Sequence, residues 1–163
     1  MKTLSNLFTV IASSFDPAAL LNTALKTEEI ATEFVPIPEG DHPIQFKTPK
    51  IESGEKNGKV WARLECPVTI TDPQVALDMG IEGGAELGGT YTLFLDIDQD
   101  TKQLAFGVNK NIKLGQLFEA LGMHGEEASI ADIEGRNAIA NYKHRKSTNG
   151  NIISEISKVF AEE

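Results

Sequence analysis

A chain of 163 residues with 40% hydrophobic and 24% charged side chains is sized for one domain with a buried core plus a short extension, and its composition excludes a disordered tail. The single cysteine, Cys66, excludes a disulfide framework and a cysteine-rich zinc site, and favours a reducing compartment. A net charge of -9 argues against a nucleic-acid partner only if it is averaged over the surface; acids crowd Asp72–Glu134, whereas Arg136–Lys146 contains none.

No apolar run reaches the roughly 18 residues of a membrane span. The apolar start Met1–Ala12 is broken by Ser5, Asn6 and Thr9, a weak pattern for a signal peptide. Residues 1–35 read as an N-terminal extension. Asp16 caps and Pro17 opens a short amphipathic helix carrying Ala18, Leu20, Leu21, Ala24 and Leu25. Pro36 and Pro38 then impose an extended segment.

Residues 36–163 read as the main domain. Strand 1 is expected at His42–Ile51, with Pro43 and Pro49 marking an edge or a bend. Glu52–Gly58 reads as a turn, with Asn57-Gly58 as a hairpin signal. Strand 2, Lys59–Val68, alternates: Val60, Ala62, Leu64 and Cys66 face the core, and Lys59, Trp61, Arg63 and Glu65 face out. Thr69–Gly88 is an acidic, glycine-containing insertion with a turn of helix at Pro73–Met79. Strand 3 is Gly89–Asp98, with Thr92 and Phe94 turned away from the core, and Gln103–Val108 is expected to extend the sheet as a hairpin. A helix at Lys113–Leu121 spaces Leu114, Leu117, Phe118 and Leu121 at helical intervals and stops at Gly122. Strand 4, Arg136–His144, and strand 5, Asn151–Phe160, flank the turn Ser147–Gly150.

One helix between the third and fourth of five strands is the plan of an OB-fold. That barrel binds oligonucleotides and oligosaccharides on its strand 2–3 face and on the loops joining strands 1–2 and 4–5. Nine of the chain's 15 lysines and arginines fall near those loops. Lys47, Lys50, Lys56, Lys59 and Arg63 surround the first. Arg136, Lys143, Arg145 and Lys146 approach the second. Single-strand binders need aromatic platforms for bases and cations for phosphates. Trp61, between Lys59 and Arg63, supplies the first platform, with Phe94 on the neighbouring strand beside it. Tyr142, ahead of Lys143, Arg145 and Lys146, supplies another.

Other chemistry finds little support. Asp96-Ile97-Asp98-Gln99-Asp100 opens like a calcium loop, but Thr101 stands where glycine is needed and Gly107 where glutamate is needed, so it reads as a strand end and turn. His42, His124 and His144 have no metal-ligand spacing, and the glycines of 80–89 form no phosphate-binding motif. No nucleophile–base pair can be assembled, so neither an enzyme nor a cofactor or metal is expected.

Several segments together resemble the small OB-fold single-stranded-DNA-binding proteins of bacteriophages: Val35–Ile44 leading into strand 1, the basic hairpin Gly58-Lys59-Val60-Trp61, the helix Leu117–Gly122, Ile133-Glu134-Gly135-Arg136 into strand 4, and Asn149–Ile153 before strand 5. The resemblance covers residues 34–160. It implies sequence-tolerant binding of single-stranded DNA, with RNA not distinguished, during phage replication or recombination in the cytoplasm of the infected host. A homo-oligomer, replication or recombination proteins as partners, and no membrane association belong to the same expectation. The alternative is an OB-like protein-interaction or virion-structural domain with no nucleic-acid role.

Overall fold

The computed structural model describes residues 15–32, 34–81, 86–125 and 127–162. The start Met1–Ala12, weighed above as a signal peptide, lies outside them. The chain divides into two compact units, Met1–Glu33 and Phe34–Glu163. In the first, Pro17 opens helix α1 (Pro17–Leu21) and the Asp16 carboxylate accepts the Ala18 N–H at 3.0 Å. The helix is shorter than its apolar pattern suggests, and Leu20, Leu21 and Leu25 stand exposed.

The second unit is mainly β. Its strands are β1 (Gly40–Phe46), β2 (Lys50–Lys56), β3 (Lys59–Ile70), β4 (Thr90–Leu95), β5 (Asn137–Lys146) and β6 (Ile152–Phe160). All pairings are antiparallel, in one open sheet. β3 is the hub: β2 and the end of β1 lie along one side of it and β4 along the other, while β1 carries β5, which carries β6. Helices α2 (Pro73–Asp78) and α3 (Ile112–Ala120) connect the strands.

Three expectations are corrected. First, in place of the expected OB-fold barrel, the sheet is open: among the described residues no ladder joins β4 to β6. β4 ends after six residues: the N–H of Asp96, just after it, donates to the Asn111 side-chain oxygen at 2.8 Å, and the Asp96 C=O accepts the Asn111 side-chain N–H at 3.0 Å and the Ala105 N–H at 2.9 Å, so neither group joins a ladder with a neighbouring strand. Helix α3 packs against both β4 and β6 at this seam. Second, the expected strand His42–Ile51 is two strands. Pro49 has no N–H to place in a ladder, and Thr48 turns its hydroxyl to Glu134 at 2.6 Å. Residues Glu52–Lys56 are consequently strand and not turn. The turn is Asn57-Gly58 alone, with φ of 55° and 78°, the left-handed pair that a two-residue type I′ hairpin requires. Third, Gln103–Val108 makes only an isolated bridge, Leu104 to Ile97.

The alternation of β3 builds the core. Ala62, Leu64, Cys66, Val68 and Ile70 are all buried, against Ile44 and Phe46 of β1, Leu93 and Leu95 of β4, and Ala138 and Ala140 of β5. Leu114, Leu117 and Leu121 close one end from the helical side. The acidic insertion is anchored in the same core. Asp72 caps α2 by accepting the Gln74 N–H at 3.0 Å, and Val75 and Ala76 are buried.

Burial pushes the Cys66 thiol up to about 12, so it stays protonated at neutral pH. A thiol reagent at mildly alkaline pH is therefore expected to leave the folded protein unmodified and to react fully in denaturant. Rapid labelling of the native protein would contradict this core.

Candidate nucleic-acid interface

Cross-strand partners share a face, so the registers of β2, β3 and β4 define what their outer surface carries. At the hairpin end Lys56 stands opposite Lys59. Next, Gly54 stands opposite Trp61. Then comes the row Glu52, Arg63, Phe94, and last Lys50, Glu65, Thr92. Six of the residues singled out in the sequence (Lys50, Lys56, Lys59, Trp61, Arg63 and Phe94) thus fall on one face.

The Trp61 indole is half-buried because it lies against the backbone of β2. A Cβ on Gly54 would stand 2.9 Å from the ring, so glycine at that position makes room for it. Phe94 has no such cover and is 70% exposed. On adjacent antiparallel strands, diagonal neighbours such as Trp61 and Phe94 stand about 7–8 Å apart. Two aromatic rings of this kind, one steadied and one free, make a stacking surface with cations at its hairpin end.

The electrostatics are less favourable than the cation count suggests. The Arg63 guanidinium is held between two carboxylates, donating hydrogen bonds to Glu52 and, through Nε, to Glu65 at 3.1 Å. The Glu52 hydrogen bond is the first cause of a raised Arg63 pKa. Lys47 lies off the end of β2 and pairs with Glu86 at 2.6 Å; that hydrogen bond holds the Glu86 carboxyl below its usual range. Among the described residues, Lys50, Lys56 and Lys59 form no salt bridge.

The second group separates from the first. Gly40 of β1 is the partner of Tyr142, and Gly54 of β2 is the partner of Trp61, so Lys143, Arg145 and Lys146 stand at the opposite end of the β1–β2 run from the aromatic pair. Arg145 is bound to Glu155 at 2.7 Å, while Lys143 and Lys146 are exposed. Arg136 stays beside the β1 bend, with its Nε donating to the Asp132 carbonyl at 3.4 Å.

Tyr142 is corrected outright: it is 1% exposed and offers no stacking surface. It follows Ala138 and Ala140 on the inward parity of β5. Its hydroxyl donates to the Gly88 carbonyl at 2.6 Å, and burial pushes its pKa far up.

Beside Phe94 the structure brings Asn109, Ile112 and Lys113, which the sequence pattern did not place in the site. A cavity of about 320 Å³ adjoins the ring, lined by Thr92, Phe94, Asp96, Asn109, Ile112 and Lys113. Asp98, in the next turn, is structural: it accepts the N–H groups of Thr101 and Asp100 at 3.1 and 2.8 Å, which holds its carboxyl below the usual range. No helix among the described residues is long and apolar enough to cross a membrane. Comparison with protein-family models and with curated proteins yields no match.

Proposed function

We propose that this protein binds single-stranded DNA without sequence preference, on the outer face of β2, β3 and β4. The observation that carries the reading is the placement of Trp61 and the exposed Phe94 as diagonal neighbours, with Lys56 and Lys59 beyond them. Bases stack on such rings whatever their identity, and lysines take the phosphates. The strand order supports an OB-type plan. If β1 and β2 count as one bent strand, the order is 3-2-1-4-5 with a helix between the third and fourth strands, left open between the third and fifth. Tyr142, Lys47 and Arg145 drop out of the contact set, and Lys143 and Lys146 contribute long-range attraction. RNA would be taken by the same chemistry.

In this reading the protein acts without catalysis or a cofactor, in phage replication or recombination in the host cytoplasm, alongside proteins of those processes. Among the described residues the outer edges of β4 and β6 have no pairing strand, which favours a homo-oligomer. The alternative is a protein-interaction or virion-structural module, favoured by Glu52 and Glu65, which place negative charge on the same face.

The test is anisotropy of a labelled oligo-dT and of its duplex, at two salt concentrations. Binding to the single strand alone, weakened by salt, is expected; no binding at low salt would leave the interaction module. Replacing Glu52 and Glu65 together by glutamine should free Arg63 for a phosphate. Binding should then tighten, and the slope of log K against log salt should steepen by about 0.7, the increment for one more phosphate contact on a single strand. An unchanged slope would remove Arg63 from the interface.

A further inference from the structure

The segment Thr101–Phe118 contains three lysines (Lys102, Lys110 and Lys113) and no acid, in a chain whose net charge is -9. Its middle presents two apolar side chains to solvent: among the described residues Phe106 and Val108 are each 88% exposed. Exposed rings and aliphatics usually mark a contact surface when they are held in place and not scattered. These are held. The Asn111 side chain accepts the Asp96 N–H at 2.8 Å and donates to the Asp96 and Ala105 carbonyls at 3.0 and 2.9 Å. The Asn111 N–H in turn donates to the Asp96 carboxylate at 2.7 Å. Three of these bonds tie Asn111 to Asp96 at the end of β4 and the fourth joins the two ends of loop 105–111, while the Ala105 N–H donates to the Asp96 carbonyl at 2.9 Å. Within the loop Gly107, Asn109 and Asn111 have φ of 121°, 63° and 51°. Left-handed backbone at two non-glycine positions costs free energy, and it persists because the Asn111 knot fixes the loop.

The loop is continuous with the aromatic face. Phe94 and Asp96 lie two residues apart on the same side of the strand, and the cavity of about 320 Å³ runs from Phe94 to Asn109, Ile112 and Lys113. Among the described residues Lys110 and Lys113 form no salt bridge, in contrast to Arg63, Lys47 and Arg145.

We infer that loop Phe106–Lys113 is a second contact element for a single-stranded nucleic acid, stacking a base on Phe106 and holding phosphates on Lys110 and Lys113. The strand then runs from Trp61 over Phe94 and along the cavity onto the loop. Charge selects this occupant: an acid-free basic segment beside exposed aromatics suits a polyanion with stackable bases. The inference rests on the reading of the β2–β3–β4 face given above.

The test compares a short oligo-dT of about 4 nucleotides with a long one of about 12, the range a single domain of this type covers. Wild type, Phe106→Ala and the double variant Lys110→Gln/Lys113→Gln are titrated with both. Both variants change exposed side chains, and an unchanged thermal midpoint confirms that they fold. On the long oligonucleotide Phe106→Ala should weaken binding about 5- to 140-fold, and the lysine variant should flatten its salt dependence. The short oligonucleotide, satisfied by Trp61 and Phe94, should bind all three proteins alike. Wild-type affinity of both variants for both lengths would overturn the inference and leave the aromatic face standing. Equal losses on the two lengths would overturn the placement of the loop beyond Phe94. Failure of the wild type to bind either oligonucleotide would remove the underlying reading, and the inference with it.

Discussion

Phe94→Ala is expected to cost about 1–3 kcal/mol of affinity for oligo-dT, the range measured for loss of one stacking platform. The ring is 70% exposed, so its loss should change stability by no more than about 0.5 kcal/mol. Binding and folding are therefore cleanly separable at this position. Trp61→Ala should weaken binding to a similar extent of about 1–3 kcal/mol, but it also strips the indole from the backbone of β2 at Gly54, so its thermal midpoint should fall. Because the two rings are diagonal neighbours serving one ligand, the double variant should lose less than the sum of the singles. Phe94→Leu, which keeps apolar bulk but removes the flat ring, should behave like Phe94→Ala if stacking is the interaction. Calorimetric titration of the folded variants decides the matter. A Phe94→Ala protein with wild-type affinity would take the strand off this face.

The largest stability effect is expected at Gly88. A Cβ there would lie 1.9 Å from the Val68 carbonyl oxygen and 2.6 Å from its carbon. Both are backbone atoms of β3, and no rotamer change relieves the clash. The flanking chain cannot move away, because the Val68 N–H donates to the Gly89 carbonyl at 3.0 Å and the Ile70 N–H to the Leu87 carbonyl at 2.7 Å. The Gly88 carbonyl also accepts the buried Tyr142 hydroxyl. Gly88→Ala should therefore cost more than about 3 kcal/mol, beyond the usual penalty of an overpacked site. Tyr142→Phe removes only the hydroxyl and should cost about 1 kcal/mol. Urea unfolding separates the two. If Gly88→Ala were as stable as wild type, the end of the acidic insertion would not pack against the backbone of β3.

What could be read in the sequence was local. Alternation in β3 gave both its faces, because apolar and polar residues trade places at every step from Lys59 to Glu65. Asn57-Gly58 gave the hairpin, since few dipeptides tolerate two left-handed residues. Leucine spacing gave α3 to within a residue. What stayed hidden depends on partners distant in sequence. The break between β1 and β2 was signalled by Pro49, but the strands that each half joins are set by pairing with β3 and β5. The neutralisation of Arg63 needs Glu52, 11 residues earlier, brought opposite by the hairpin register. The burial of Tyr142 is legible in the sequence, because it shares the parity of Ala138 and Ala140. The acid-free stretch Thr101–Phe118 was equally visible as a charge pattern, yet only the Asp96–Asn111 knot shows that its apolar residues are held beside Phe94.

The most direct measurement uses the chain's only tryptophan as its own reporter. Trp61 sits half-exposed at the centre of the proposed face, so its emission is titrated with unlabelled oligo-dT at low salt and the titration is repeated with duplex. Saturable quenching by the single strand, reversed by salt and absent with duplex, is the expected result. Emission that stays unchanged while a labelled oligo-dT binds would place the nucleic acid elsewhere on the molecule and contradict the assignment of the β2–β3–β4 face.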